Sequence, residues 1–449
     1  MSEFKTIAGH AGTVLVGQLA VMAYSVTDTI VAGRYSSTSL AALSVGSAIF
    51  VSVFVALQGV IQALLPIWAE LHGAGHKAEL GRSFRQALYL CAITAAVGMF
   101  VLHNAGPVLR WAQVPEAVRP AAQAYLDILA WSLPLALLFR MFSTLNQSIG
   151  QPLLVTWLQI GSLAVKVPLS IWFAFGGLGL AGRGAEGCAW ATLVVNFGLC
   201  ALAIWQIKMR PVYRPYALWR ALEKPAWILI RSFFKLGIPT ALAIMVEVTS
   251  FTLMALLIAR MGEVAASSHQ IANNLTAVMY MVPLAISIAA SSRVSFWLGA
   301  GDSAQARLAI KTGFLFVTGA ALVLCTVLWF ARSYIAHIYS DQPQILAMTT
   351  TLLAWVAAYH LFDALQVICF FTLRCFKIAF IPFLIYTVLL WGGGLGGGYW
   401  LAYEGLGPFA AMNTPIAFWA TSVAALLATT IAFLALLGWT LKATRQNRA

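Results

Sequence analysis

Charge is what this sequence has least of. Its 27 Lys and Arg and 14 Asp and Glu make up 9% of 449 residues, whereas hydrophobic residues make up 61% and the mean hydropathy is +0.86. A soluble domain of this length has no interior large enough to hide that much apolar surface, so the chain reads as a polytopic membrane protein. Cysteine is sparse too: Cys91, Cys188, Cys200, Cys325, Cys369 and Cys375 mostly fall in apolar runs and form no CxxC pair, so neither a disulfide framework nor a metal site is implied. No phosphate-cradling Walker loop is present, which argues against an ATP-driven pump. No HExxH, GxSxG or DDxxD pattern is present either, which argues against an intramembrane hydrolase or polyprenyl transferase.

What is present is a succession of apolar runs, each roughly 20 residues or more and so long enough to cross a bilayer as a helix. They cover 11–32, 46–69, 86–104, 122–142, 153–176, 187–207, 233–259, 271–298, 310–331, 346–373, 379–401 and 414–440. Runs this long and continuous are helical rather than the alternating segments of a barrel. The first lacks a basic leader and is expected to be a retained helix.

The basic residues orient the chain. One set of connections carries Lys5, Lys77, Arg82, Arg85, Arg140, Lys208, Arg210, Arg214, Arg220, Lys224, Arg231, Lys235, Arg293, Arg307, Lys311, Arg374, Lys377, Lys442, Arg445 and Arg448. The opposite set carries Arg34, Arg110, Arg119, Arg183, Arg260 and Arg332, and Lys166 stands alone inside the fifth run. Twenty against six puts both termini in the cytoplasm, and the net charge of +13 then anchors that face on anionic lipid rather than on nucleic acid.

The chain also repeats itself. A shift of 226 residues lays Gly73-Ala74-Gly75 on Gly299-Ala300-Gly301 and Arg34 on Arg260 without a gap. Each half holds six runs, an even number, so the halves share one topology and are related by an axis along the membrane normal. The expected division is an amino-terminal lobe over 1–207, a basic linker over 208–231 and a carboxyl-terminal lobe over 232–449.

Against this apolar background the intramembrane polar residues are conspicuous. The segment from Trp355 to Lys377, WVAAYHLFDALQVICFFTLRCFK, carries Asp363 at its middle, with Tyr359 and Gln366 on the same helical face. A charge at bilayer depth costs about 2.5 to 3.5 kcal/mol on insertion scales and usually marks an ion or substrate path. Glu247 lies as deep in the seventh run. Two such carboxylates either stitch helices together as hydrogen-bonded acids or take up a competing proton or metal cation, which is what coupled transport requires. In the first run Tyr24 and Asp28 repeat the Tyr-x3-Asp spacing. Lys166 is the natural partner of Asp28, as a fixed structural pair or as a titrating one. Gln270 and Asn274 share a face near the outer end of the eighth run, as water-facing groups or substrate contacts. Six glycines between Gly392 and Gly398 either let helices approach closely or weaken the eleventh helix.

VTDTIVAG (26–33), LHGAGHKAEL (71–80), GCAWAT (187–192), LGIP before Glu247, SHQIANN (268–274), RVSFWLGAG (293–301) and YHLFDALQ (359–366) together resemble the multidrug and toxic compound extrusion (MATE) family, in its NorM-type bacterial branch. The resemblance implies an all-α, V-shaped pair of pseudo-symmetric six-helix lobes in the bacterial inner membrane. It implies export of organic cations in exchange for sodium or protons, by a monomer without an enzymatic activity or a bound cofactor. It assigns Glu247, Tyr359 and Asp363 to the coupling site, as sodium ligands if sodium is the ion, and matches Asp28 to the family's first-helix aspartate. The sequence departs from the family at Lys166 and Ser170, where asparagines are usual, at Thr13, where a proline is expected, and at Cys375, in place of a glycine. Bending of the first helix then falls to Gly12 or Gly17. A flippase for a lipid-linked precursor shares this fold but needs a cationic cavity, which three deep acids oppose.

Overall fold

The computed structural model describes residues 3–112, 114–177, 179–405 and 410–446. Each apolar run is a helix. The twelve are α1 (Glu3–Tyr35), α2 (Ser37–Gly73), α3 (Lys77–His103), α4 (Arg119–Ser148), α5 (Pro152–Phe175), α6 (Ala185–Met209), α7 (Trp227–Ala259), α8 (Glu263–Gly299), α9 (Ser303–Tyr339), α10 (Pro343–Cys375), α11 (Phe380–Glu404) and α12 (Ile416–Thr444). Most extend past the hydropathy limits, because polar and small residues continue a helix once its caps are satisfied. Ser36 caps α2 by accepting the Ser39 amide at 3.0 Å, and Asp302 caps α9 by accepting those of Ala304 and Gln305. Large side chains such as Phe330 and Phe100, 82% and 71% exposed, form the apolar surface that lipid covers.

The chain divides into two compact units. The carboxyl-terminal unit comprises Met1–Gly12, Leu242–Val294 and Asp302–Ala449; the amino-terminal unit comprises Thr13–Ala241 and Ser295–Gly301. The divisions fall inside α1, α7 and near the end of α8, whereas the sequence places one boundary in the basic segment 208–231. Side chains explain this. Ile7 and Ala11 of α1 are buried among Ile286, Val317 and Ile368, Phe4 meets the Phe316 ring edge-on, and Arg293 donates to Glu3 at 2.6 and 3.1 Å. The basic segment is strapped onto the amino-terminal unit. Arg85 donates to Glu223 at 2.5 Å and to the Ala217 carbonyl at 2.7 Å, Tyr213 to Asn146 at 2.7 Å, and Tyr216 pairs with His72 at 2.9 Å. The Arg85 hydrogen bond holds the Glu223 carboxyl below its ordinary range, and burial pushes the Tyr213 and Tyr216 phenols up to about 12.

The 226-residue repeat is expressed in backbone geometry. Gly75 and Gly301 both turn the chain through positive φ, 75° and 77°, just past the ends of α2 and α8. Gly73 and Gly299 sit in reciprocal close approaches: a Cβ on Gly73 would lie 1.9 Å from the Phe296 oxygen, and one on Gly299 would lie 1.9 Å from the Glu70 oxygen. In α11 the glycine run winds as a π-helix over Val388–Gly396, with a second π segment at Trp400–Glu404. Gly398 also packs where a Cβ would meet Phe418 at 2.6 Å, so the glycines serve both a wide turn and a close approach to α12. Gly12 faces open space, whereas a Cβ on Gly17 would strike the Gln159 side chain of α5.

Four residues assigned to the loops by charge have interior roles. Arg140 lies inside α4, which runs six residues beyond its hydropathy limit to Ser148, and the expectation of a loop position there is corrected. Arg374 is 2% exposed with its guanidinium 4.8 Å from the Phe371 ring, Arg293 holds Glu3, and Arg85 holds the strap. Arg448 lies outside the described residues.

Candidate functional site

In the carboxyl-terminal unit, backbone contacts set the register of four helices. The Trp391 indole donates to the Val246 carbonyl at 3.1 Å and the Tyr403 hydroxyl to that of Leu257 at 2.7 Å, fixing α11 along α7. Thr421 of α12 donates to Gly394 at 2.8 Å, and Thr430 to the Phe362 carbonyl of α10 at 3.1 Å. Beside Phe362 on α10 is Asp363.

This register gathers Glu247 of α7, Tyr280 of α8, Tyr359 and Asp363 of α10 and Tyr386 of α11 into one electrostatic cluster. Asp363 is 1% exposed, and its Oδ1 has no hydrogen-bond partner among the described residues. The same holds for the Gln366 Oε1 one turn along α10. Tyr359 is wedged edge-on between Phe251 at 5.7 Å and Trp419 at 5.6 Å, which holds its ring beside the acid. Arg374 is an electrostatic neighbour of Tyr280, at the edge of the group. The sequence foresaw Glu247, Tyr359, Asp363 and Gln366. It missed Tyr280 and Tyr386, whose only signal was a phenol within an apolar run. Gln270 and Asn274 are exposed and hydrogen-bonded to each other at 3.1 Å.

A second polar centre lies in the amino-terminal unit. Lys166, fully buried, donates to both Asp28 oxygens at 2.8 and 2.9 Å, to the Cys188 carbonyl at 3.0 Å and to Thr192 at 2.9 Å. Ser170 donates to Asp28 at 2.9 Å, so both departures from the usual asparagines serve one ion pair. The Tyr24 hydroxyl bonds to Ser162. Tyr24, Asp28 and Thr192 form part of the wall of a cavity of about 220 Å³.

The first cluster has chemistry for a cation. Two acids, three phenols and an amide carbonyl are all oxygen donors, which suits a hard ion such as sodium, and a partnerless buried carboxyl oxygen equally suits a proton. Among the described residues no group of three or more His, Cys, Asp and Glu is disposed to hold a metal, so such a site draws on the phenols.

Known proteins resemble this chain in sequence or in fold. A "Probable multidrug resistance protein NorM" of Aromatoleum aromaticum is 34% identical over 441 residues, covering 97% of this chain and 94% of its own length. A "Multidrug resistance protein MdtK" of Pectobacterium atrosepticum is 31% identical over 444 residues, covering 97% and 96%. Among solved structures, MATE in the bent conformation superposes with a TM-score of 0.89 at 14% identity, over all of this chain and 97% of the other. The eukaryotic MATE transporter AtDTX14 does so with a TM-score of 0.86 at 18% identity, over 97% and 95%. These two likenesses bear on the fold. The MatE family model matches twice, at residues 14–172 and 239–400, one stretch in each half of the duplication, and by that match and its NorM and MdtK relatives the chain belongs to the MatE family.

Proposed function

We propose that this protein is a secondary active multidrug antiporter that exports organic cations in exchange for sodium ions or protons, with Glu247, Tyr359 and Asp363 as the coupling site. The carrying observation is the buried Asp363 Oδ1 without a partner, set among Glu247 and three phenols in the carboxyl-terminal unit. Membership of a transporter family supports a transporter rather than an enzyme, and the names of the NorM and MdtK relatives support multidrug export. A buried carboxylate stays ionised only where a cation compensates it; otherwise it takes a proton. Either event removes negative charge from the cluster. An organic cation attracted to the ionised pair is then released when the pair is neutralised, and mutual exclusion of the two ligands is what makes the exchange obligatory.

Tyr280 and Tyr386 extend the cluster across α8 and α11, so neutralising the acids alters contacts among four helices at once. Asp28 is committed to Lys166 and takes no part in ion exchange. The same pair withdraws Lys166 as support for a flippase. The protein lies in a bacterial inner membrane with both termini cytoplasmic, an orientation that the excess of basic residues on one face supports.

The test is efflux of a fluorescent organic cation from proteoliposomes driven by an imposed sodium or pH gradient. Wild-type protein transports on at least one gradient; Asp363→Asn and Glu247→Gln lose coupled efflux while keeping wild-type elution on gel filtration. Unchanged transport by Asp363→Asn contradicts the assignment.

A further inference from the structure

We propose that the cavity inside the amino-terminal unit is a binding site for the anionic group of aromatic acids and zwitterions, with Arg140 as the ion-pairing residue. The inference rests on the export reading only for the fate of the ligand, since the site itself is defined by charge and shape.

Asp28 and Arg140 are the charged side chains on the cavity wall. Asp28 is neutralised by Lys166, which grips both of its oxygens, so the uncompensated charge is that of Arg140. Arg140 is half-buried, its Nε is buried without a hydrogen-bond partner, and it makes no ion pair among the described residues. An isolated guanidinium in a low-dielectric wall is costly to keep, and its planar fork is the donor best matched to a carboxylate or sulfonate.

The surroundings suit an aromatic acid. Gln18, Ser143 and Gln159 stand with Arg140 on the wall of both this cavity and a smaller adjoining pocket, offering hydroxyl and amide donors to the same anionic group. Five aromatic rings, Tyr24, Phe50, Phe54, Tyr125 and Phe139, stand among the aliphatic and polar side chains of the rest of the wall. Phe50 and Phe54 of α2 lie parallel, with centroids 5.8 Å apart and planes 6° apart, and Tyr125 and Phe139 of α4 face the same space. Such rings hold a flat body by stacking. A purely cationic compound gains the stacking but is repelled by Arg140, whereas one that carries a carboxylate gains both.

The experiment is fluorescence anisotropy of rhodamine B, which has a free carboxylate, and of its cationic ethyl ester, each titrated with the purified full-length protein. Arg140→Gln is expected to weaken rhodamine B about tenfold or more while leaving the ester unchanged or tighter, as follows from losing a charge-assisted hydrogen bond. Arg140→Lys recovers part of the loss, and 2-naphthoate displaces rhodamine B from the wild type. Ester binding also reports that the variants are folded. Equal loss of both dyes, no loss of either, or no binding of rhodamine B to the wild type overturns the proposal. Displacement by farnesyl diphosphate but not by 2-naphthoate also overturns it, in favour of a lipid diphosphate site. The readout is binding, so a failure of ion-driven efflux in the Glu247 and Asp363 variants leaves it untouched.

Discussion

Lys166 has three protons, and the fold gives it Asp28, the Cys188 carbonyl and Thr192 to receive them. Removing one partner of so fully bonded a pair leaves the other charged and dry. Lys166→Met should therefore destabilise the protein by about 3–5 kcal/mol, read as a fall in detergent melting temperature. The double variant with Asp28→Asn should recover much of the loss; a Lys166→Met protein as stable as wild type contradicts this. The same logic separates what single residues reveal in sequence from what they do not. Glu247 and Asp363 were legible because a carboxylate in an apolar run is anomalous whatever surrounds it. Tyr280, Tyr386 and Arg140 were not. Phenols are ordinary in membrane helices, and an arginine near a hydropathy limit looks like an anchor until the helix is seen to continue to Ser148. Pairing of Lys166 with Asp28 was foreseeable as a match of charges, but the four acceptors around its ammonium were not.

Helix ends carry the duplication. Phe296 and Gly299 are Glu70 and Gly73 moved by the repeat interval, and each glycine meets the carbonyl oxygen of the other's helix at a distance no Cβ tolerates. Gly73→Ala or Gly299→Ala should cost about 1–3 kcal/mol, the range of overpacked contacts, whereas Gly392→Ala, which faces open space, should be close to neutral. Melting temperatures of the three variants decide it, and equal values would contradict the reciprocal packing. The sequence showed the Gly-Ala-Gly repeat but not its purpose, because a close approach needs the partner helix in place. In the strap, Glu223 has its carboxyl held low by Arg85, so its contribution is present at neutral pH and is lost as pH falls through a value below 4.5. Proteolysis of the 217–226 segment should accordingly rise only in that acid range, and Arg85→Gln should expose the segment at pH 7.

Across the whole molecule, six-plus-six topology was plain from the hydropathy and the repeat, yet the compact units do not end where the linker does. Ile7 is fully buried in the carboxyl-terminal unit although it lies four residues before the first apolar run, because an apolar side chain packs wherever its helix carries it. Ile7→Ala should cost about 2 kcal/mol or more and, in limited proteolysis, loosen the carboxyl-terminal unit first; cleavage appearing first in the amino-terminal unit contradicts that placement. Exchange at Glu247 and Asp363 requires the organic cation and the coupling ion to compete there, and that competition is directly measurable. Tetraphenylphosphonium added to purified protein in weakly buffered detergent, with and without sodium, should release protons or sodium as it binds. Release should accompany binding in the wild type and disappear in Asp363→Asn; binding without release in the wild type, or equal release by Asp363→Asn, would contradict exchange at this pair.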